Sequence, residues 1–142
     1  MTKLFSAKDF TATEFETADA KVKFCEQFVK FVKNDFAKES FPKWFYQRLS
    51  MTFGHIAHYD QNGFYETFFT NTDHIRYFIQ KTLNYPCYGS PAFTYCDAEK
   101  VIQTWLRDNK IMEKWQKKLQ QETEAKERKE FERLSNKYGE TK

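Results

Sequence analysis

Between residues 17 and 36 the apolar positions Val22, Cys25, Val29, Val32 and Phe36 recur at steps of three and four, and Phe24, Phe28 and Phe31 widen the stripe. That period predicts an amphipathic helix with a broad buried face. Ser40 before Phe41-Pro42 predicts an N-cap with proline in the first turn, opening a second helix over 41–53 that continues towards His58 across Gly54. Asp60-Gln61-Asn62-Gly63 predicts a tight turn, since Asn-Gly tolerates positive φ. The stretch 63–69 is too short for its period to separate helix from strand. Thr72 then caps a helix over 73–83 that carries Ile75, Phe78, Ile79 and Leu83 on one face. Two prolines and Gly89 make 84–93 a loop. Thr94-Tyr95-Cys96-Asp97 resembles a capping box, with Asp in place of Glu, and opens a last helix whose buried face runs through Val101, Ile102, Trp105, Leu106, Met112, Trp115 and Leu119.

The pattern changes at both ends. Residues 1–16 scatter Phe5, Phe10 and Phe15 among polar residues without a period, as expected of a loosely structured arm that docks by its rings. Residues 120–130 contain no large apolar side chain, yet have good helix propensity and i,i+4 pairs such as Glu122 with Lys126, so the last helix should run on into solvent. Phe131, Leu134 and Tyr138 then return at helical spacing. This second patch needs a cover: the chain folding back, a second copy, or a partner.

Composition sharpens the core. Sixteen phenylalanines outnumber the six leucines, five isoleucines and four valines together. The length of 142 residues suits one domain, because two cores of half that size would bury too little surface. The expected fold is therefore all-α: a single-domain helical bundle over 1–119 with an aromatic-rich core and a long, partly protruding C-terminal helix, its charged extension covering 120–142. The net charge of +3 and pI of 8.6 fall short of the clustered basicity of typical nucleic-acid binders. No run of 18 apolar residues and no basic-then-apolar leader is seen, which argues against a membrane-spanning helix and for a cytoplasmic protein. Cys25, Cys87 and Cys96 are an odd number, as expected of reduced thiols.

Three kinds of chemistry compete for the aromatic segment 41–95, which holds all three histidines. On a helix, His55 and His58 would share a face and, with Asp60 or His74, could bind a divalent metal. They lack the His-Glu-x-x-His arrangement, and the spacing of Cys87 and Cys96 does not fit a structural zinc site, so no metal, cofactor or catalytic residue is assigned. Base stacking on Tyr59, Tyr65, Tyr77, Tyr85, Tyr88 or Tyr95 would need a basic groove, but residues 51–97 carry two basic and four acidic side chains. A basic surface is better placed at Lys110, Lys114, Lys117 and Lys118. The third kind is protein binding with rings as anchors: Tyr59, Tyr65, Tyr88, Trp115, Phe131, Leu134 and Tyr138, joined by His55 and His58.

The stretch Phe53-Gly54-His55-Ile56-Ala57-His58-Tyr59-Asp60, followed by Gly63-Phe64-Tyr65, resembles small uncharacterised proteins carried by bacteriophages and other mobile elements. The resemblance covers at most residues 44–106 and implies a context in which such proteins bind and block host machinery, including defence systems such as CRISPR nucleases. The expected function is that of a non-enzymatic inhibitor or accessory protein. Its expected partner is a host protein or protein–nucleic acid complex, with a homodimer through the C-terminal helix as a further association and no membrane contact.

Overall fold

The computed structural model describes residues 5–53 and 59–139. Six helices make up the fold: α1 (Ala18–Lys33), α2 (Lys43–Met51), α3 (Gln61–Phe68), α4 (Thr72–Leu83), α5 (Cys96–Asp108) and α6 (Ile111–Gly139), with short 3₁₀ turns at Ala7–Asp9 and Lys38–Ser40 and no strand among the described residues. This is the all-α, single-domain architecture expected from the pattern.

Phenylalanine rings fill the centre. Phe24, Phe28, Phe31, Phe36, Phe45, Phe53, Phe64 and Phe78 are all fully enclosed. They meet edge-on more often than face-on, as at Phe31–Phe69 (4.9 Å between centroids, 87°) and Phe69–Phe78 (4.8 Å, 66°). Edge-to-face geometry suits the ring quadrupole and adds about 0.5–1.5 kcal/mol per pair beyond area burial. α1 runs through this core, packing on α5 along one side and on α2 along another, while α4 packs most extensively against α6.

Helix ends depart from the sequence reading in a consistent way. Thr17, where the helical period begins, caps α1, its hydroxyl accepting from the Ala20 N–H (3.2 Å). α1 stops at Lys33 rather than Phe36, because Asp35 and Phe36 take left-handed conformations (φ 55° and 59°) and the Phe36 N–H donates to the Phe31 carbonyl (2.8 Å). That turn drives the Phe36 ring inward against Phe69 and Trp115. Ser40 is not the N-cap of α2: its hydroxyl is buried and accepts from the Asn34 amide (2.7 Å), and the helix starts two residues later, after Pro42. Asn62-Gly63 is not a turn, since the Asp60 carboxylate accepts from the Gly63 N–H (2.6 Å) and caps α3 there. Asn71, not Thr72, caps α4 by accepting from the His74 N–H (2.8 Å).

The last helix is two helices. Lys110 is left-handed (φ 53°) and the Asn109 side chain turns back to the Trp105 carbonyl (2.9 Å), ending α5. The expected capping box at its start is also not made: the Thr94 N–H goes to the Ser90 carbonyl, and Asp97 is engaged elsewhere. α6 has 29 residues and so is about 43 Å long. It anchors through Ile111 and Trp115, and Thr72 donates to Glu122 (2.8 Å); every described residue from Gln120 on is exposed.

Candidate functional site

Two adjoining concavities of about 750 and 620 Å³ form one groove, sharing Glu16, Arg48, Met51 and Tyr95. Four segments build it. The buried face of α2 is set by Phe45 and Leu49, which leaves Arg48 and Met51 turned towards the groove. In the N-terminal arm, the Thr13 hydroxyl accepts from the Phe15 and Glu16 N–H groups (3.3 and 2.9 Å) and holds those two residues at the rim. The 84–95 loop supplies Tyr85, Tyr88 and Phe93, and the first turn of α5 supplies Glu99.

The loop is closely tied down. Gln103 donates to the Thr82 and Tyr85 carbonyls (3.0 and 2.7 Å). Gly89 has φ +93°, and a Cβ there would stand 2.7 Å from Thr94 Cγ2, so only glycine fits. At the other end of the loop lies Lys21, from α1, with a side chain that is 0% exposed. Its three donors reach the Pro91 carbonyl (2.8 Å), the Thr94 carbonyl (3.0 Å) and Asp97 Oδ1 (2.8 Å). The other Asp97 oxygen accepts from the Thr11 N–H (2.9 Å), so a single ion pair joins α1, α5, the loop and the arm.

On the groove floor, Arg48 Nη2 meets Glu16 Oε1 at 2.5 Å, and its guanidinium lies 4.0 Å from the Tyr95 ring centre. Burial, together with the hydrogen bond to Glu16, pushes the Tyr95 hydroxyl well above its ordinary pKa. Glu99 is 6% exposed, and its Oε1 has no hydrogen-bond partner. Burial raises its pKa to about 7, with the neighbouring Asp97 charge adding to the rise and the Phe53 N–H opposing it. The rim is apolar. Phe15, Met51, Tyr88 and Phe93 are four of the nine large apolar or aromatic side chains exposed among the described residues.

Of the residues singled out in the sequence, Tyr85, Tyr88 and Tyr95 line this groove, and Phe15 of the arm stands at its rim. His55 and His58 lie outside the described residues. Tyr59 is exposed beside Phe64, before α3. Tyr65 is half-buried and its hydroxyl donates to the Phe36 carbonyl (2.6 Å), which makes it part of the core wall. Trp115 is 2% exposed and packed edge-on against Phe36 at 5.3 Å, so its assignment as a binding anchor is corrected to a core role. Lys110 sits at the break between α5 and α6, and Lys117 is exposed on α6. Lys114 faces Asp35 (3.3 Å) and Lys118 lies 4.5 Å over the Trp115 ring, which divides the expected basic face. Phe131, Leu134 and Tyr138 are exposed on the outer part of α6, away from the helical body that α6 leaves after Glu122.

Sequence reasoning missed Glu16, Arg48, Met51, Phe93 and Glu99. They come from the arm, α2 and the loop–α5 junction, and no repeating spacing links them. Each thiol has a local setting: Cys25 is buried and burial pushes its pKa far up, while Cys96 and Cys87 point at the Gly89 and Tyr85 carbonyls (3.3 and 3.7 Å). Among the described residues no three His, Cys, Asp or Glu side chains converge as metal ligands, and no helix is long and apolar enough to cross a membrane. No protein-family model, curated protein or solved structure matches the chain.

Proposed function

We propose that the protein works by binding another protein through the groove between α2, α5 and the 84–95 loop. The observation that carries this reading is the ring of Phe15, Met51, Tyr88 and Phe93 around a single concave surface. Exposed apolar side chains scattered singly are ordinary, whereas several gathered around a groove with a polar floor are the anatomy of a docking site. Phe93 and Tyr88 are stiff aromatic anchors on a loop held by Gln103 and Lys21, so little ordering entropy is lost when a partner closes over them. The resemblance of residues 44–106 to phage and mobile-element proteins supports an inhibitor or accessory role, the partner being a component of host machinery such as a defence nuclease.

Nucleic acid fits less well. Arg48 is already paired with Glu16, and Lys114 with Asp35, so neither surface offers an unopposed row of cations.

Affinity purification from a bacterial lysate, followed by mass spectrometry, tests the reading when wild type is compared with Phe15→Ser/Phe93→Asp and with Phe131→Ser. We expect a stoichiometric partner that is lost with the groove variant and kept with Phe131→Ser. A partner retained by the groove variant overturns the assignment of the groove.

A further inference from the structure

We propose that this groove takes a cationic side chain, an arginine guanidinium or lysine ammonium presented by the bound protein segment, with Glu99 as its counter-ion. The proposal rests on the docking role of the groove and names the chemistry that the docked segment must carry.

Three observations lead to it. The other two carboxylates of the site already hold cations: Glu16 pairs with Arg48 at 2.5 Å and Asp97 with Lys21 at 2.8 Å. Glu99 is the carboxylate left over. It is more than nine-tenths buried in the groove floor, and Oε1 is shielded from solvent without a donor. A buried polar atom of this kind is rare in folded proteins, because leaving it unpaired forfeits its hydration without return. An entering N–H group would complete it after a small side-chain rotation. Second, the walls beside Glu99 are Tyr85, Tyr88 and Phe93, whose ring faces attract cations. Third, the groove already holds one guanidinium on a tyrosine ring, Arg48 on Tyr95 at 4.0 Å, which shows that this type of contact is compatible with its geometry.

A cation bound there would favour the ionised form of Glu99, whose pKa otherwise stands at about 7. The described titratable and charged groups around it are Asp97 and Lys100 from α5, Tyr85, Cys87, Tyr88 and Tyr95 from the loop, Arg48 from α2 and Glu16 from the arm. Burial holds both Tyr85 and Cys87 above their ordinary values, so they keep their protons at neutral pH. Binding should therefore tighten as pH rises and Glu99 ionises without cost, by about 30-fold between pH 5.5 and pH 8 if only the ionised form is competent.

The test uses two probe peptides, acetyl-Leu-Arg-Leu-amide and acetyl-Leu-Gln-Leu-amide, titrated into the ¹⁵N-labelled full chain at pH 5.5 and pH 8. We expect the arginine peptide to move the amide resonances of Tyr88, Phe93 and Glu99, to bind more tightly at the higher pH, and to outcompete the glutamine peptide. Glu99→Gln should abolish both the preference and the pH dependence, while Glu113→Gln, on α6, should leave both intact. Equal binding of the two peptides, shifts mapping away from the groove, or affinity that falls with rising pH would each overturn the proposal; the last would mark Glu99 as a neutral hydrogen-bond donor. The wild-type comparison decides the matter even if Glu99→Gln destabilises the fold. Loss of the lysate partner in Phe15→Ser/Phe93→Asp, with its retention in Glu99→Gln, would preserve the docking site and discard only the cation.

Discussion

Lys21 brings an ammonium group into a site closed to solvent, and the site is built to receive it. All three of its donors are used, two on loop carbonyls and one on Asp97. A buried cation without such partners would cost several kcal/mol, and breaking a buried pair by removing one member typically costs about 3–5 kcal/mol. Lys21→Met keeps the volume and removes the charge. We expect it to lower stability by about 3 kcal/mol, measured as a fall in the urea midpoint at unchanged slope, and to loosen the 84–95 loop in hydrogen exchange. A loss below about 1 kcal/mol would mean that the clamp merely fills space. This role was not legible in the sequence. Lys21 sits beside Val22 at the edge of an amphipathic stripe, where a lysine ordinarily belongs to the solvated flank, and its acceptors lie some 70 residues away. The Thr17 cap is different in kind, because that interaction is completed within three residues.

At the level of elements, the apolar periodicities found α1, α4, α5 and α6, because each buries a stripe against the ring core. Their ends were harder to see. Asp60 and Asn71 cap helices where Asn62-Gly63 and Thr72 stood out, since several polar residues near a boundary can compete for the same orphan N–H groups. The α5–α6 break contains no glycine or proline; it depends on the Asn109 side chain and a left-handed Lys110. The groove was illegible for another reason: the arm, α2, the loop and α5 meet only in three dimensions. α6 leads to a prediction at its own scale. Beyond Glu122 no described residue of it is buried, and the ion pair Arg133–Glu130 there lies within the helix itself. Ending the chain after Thr123 should therefore change the unfolding free energy by less than about 1 kcal/mol, while the helical circular dichroism falls by roughly the share of residues removed. A larger loss of stability would show that the outer helix docks somewhere on the body.

For the whole molecule, Glu99 links folding to pH. Its folded-state pKa of about 7 stands above the unfolded carboxyl value of 4.5, so between these values the folded chain binds more protons than the unfolded one. Stability should accordingly fall as pH rises through this window and level off above about 7, the full contribution being on the order of 3 kcal/mol. Glu99→Gln should flatten that slope, which thermal melts from pH 5 to pH 8 will show. An unchanged slope in the variant would assign the pH dependence to other groups.

α6 also has a mechanical consequence. Counting about 100° per residue, the face formed by Phe131, Leu134 and Tyr138 is turned about a quarter-circle from the face that seats Met112, Trp115 and Leu119. Tyr138 stands about 24 Å along the axis from Glu122, the last residue tied to the body. A load applied at the tip therefore acts as a torque on the α4–α6 seam, with the outer helix as lever arm and Trp115 close to the fulcrum. Because the tip faces sideways, whatever grips it bends or twists the rod without competing for the contacts that hold it in place.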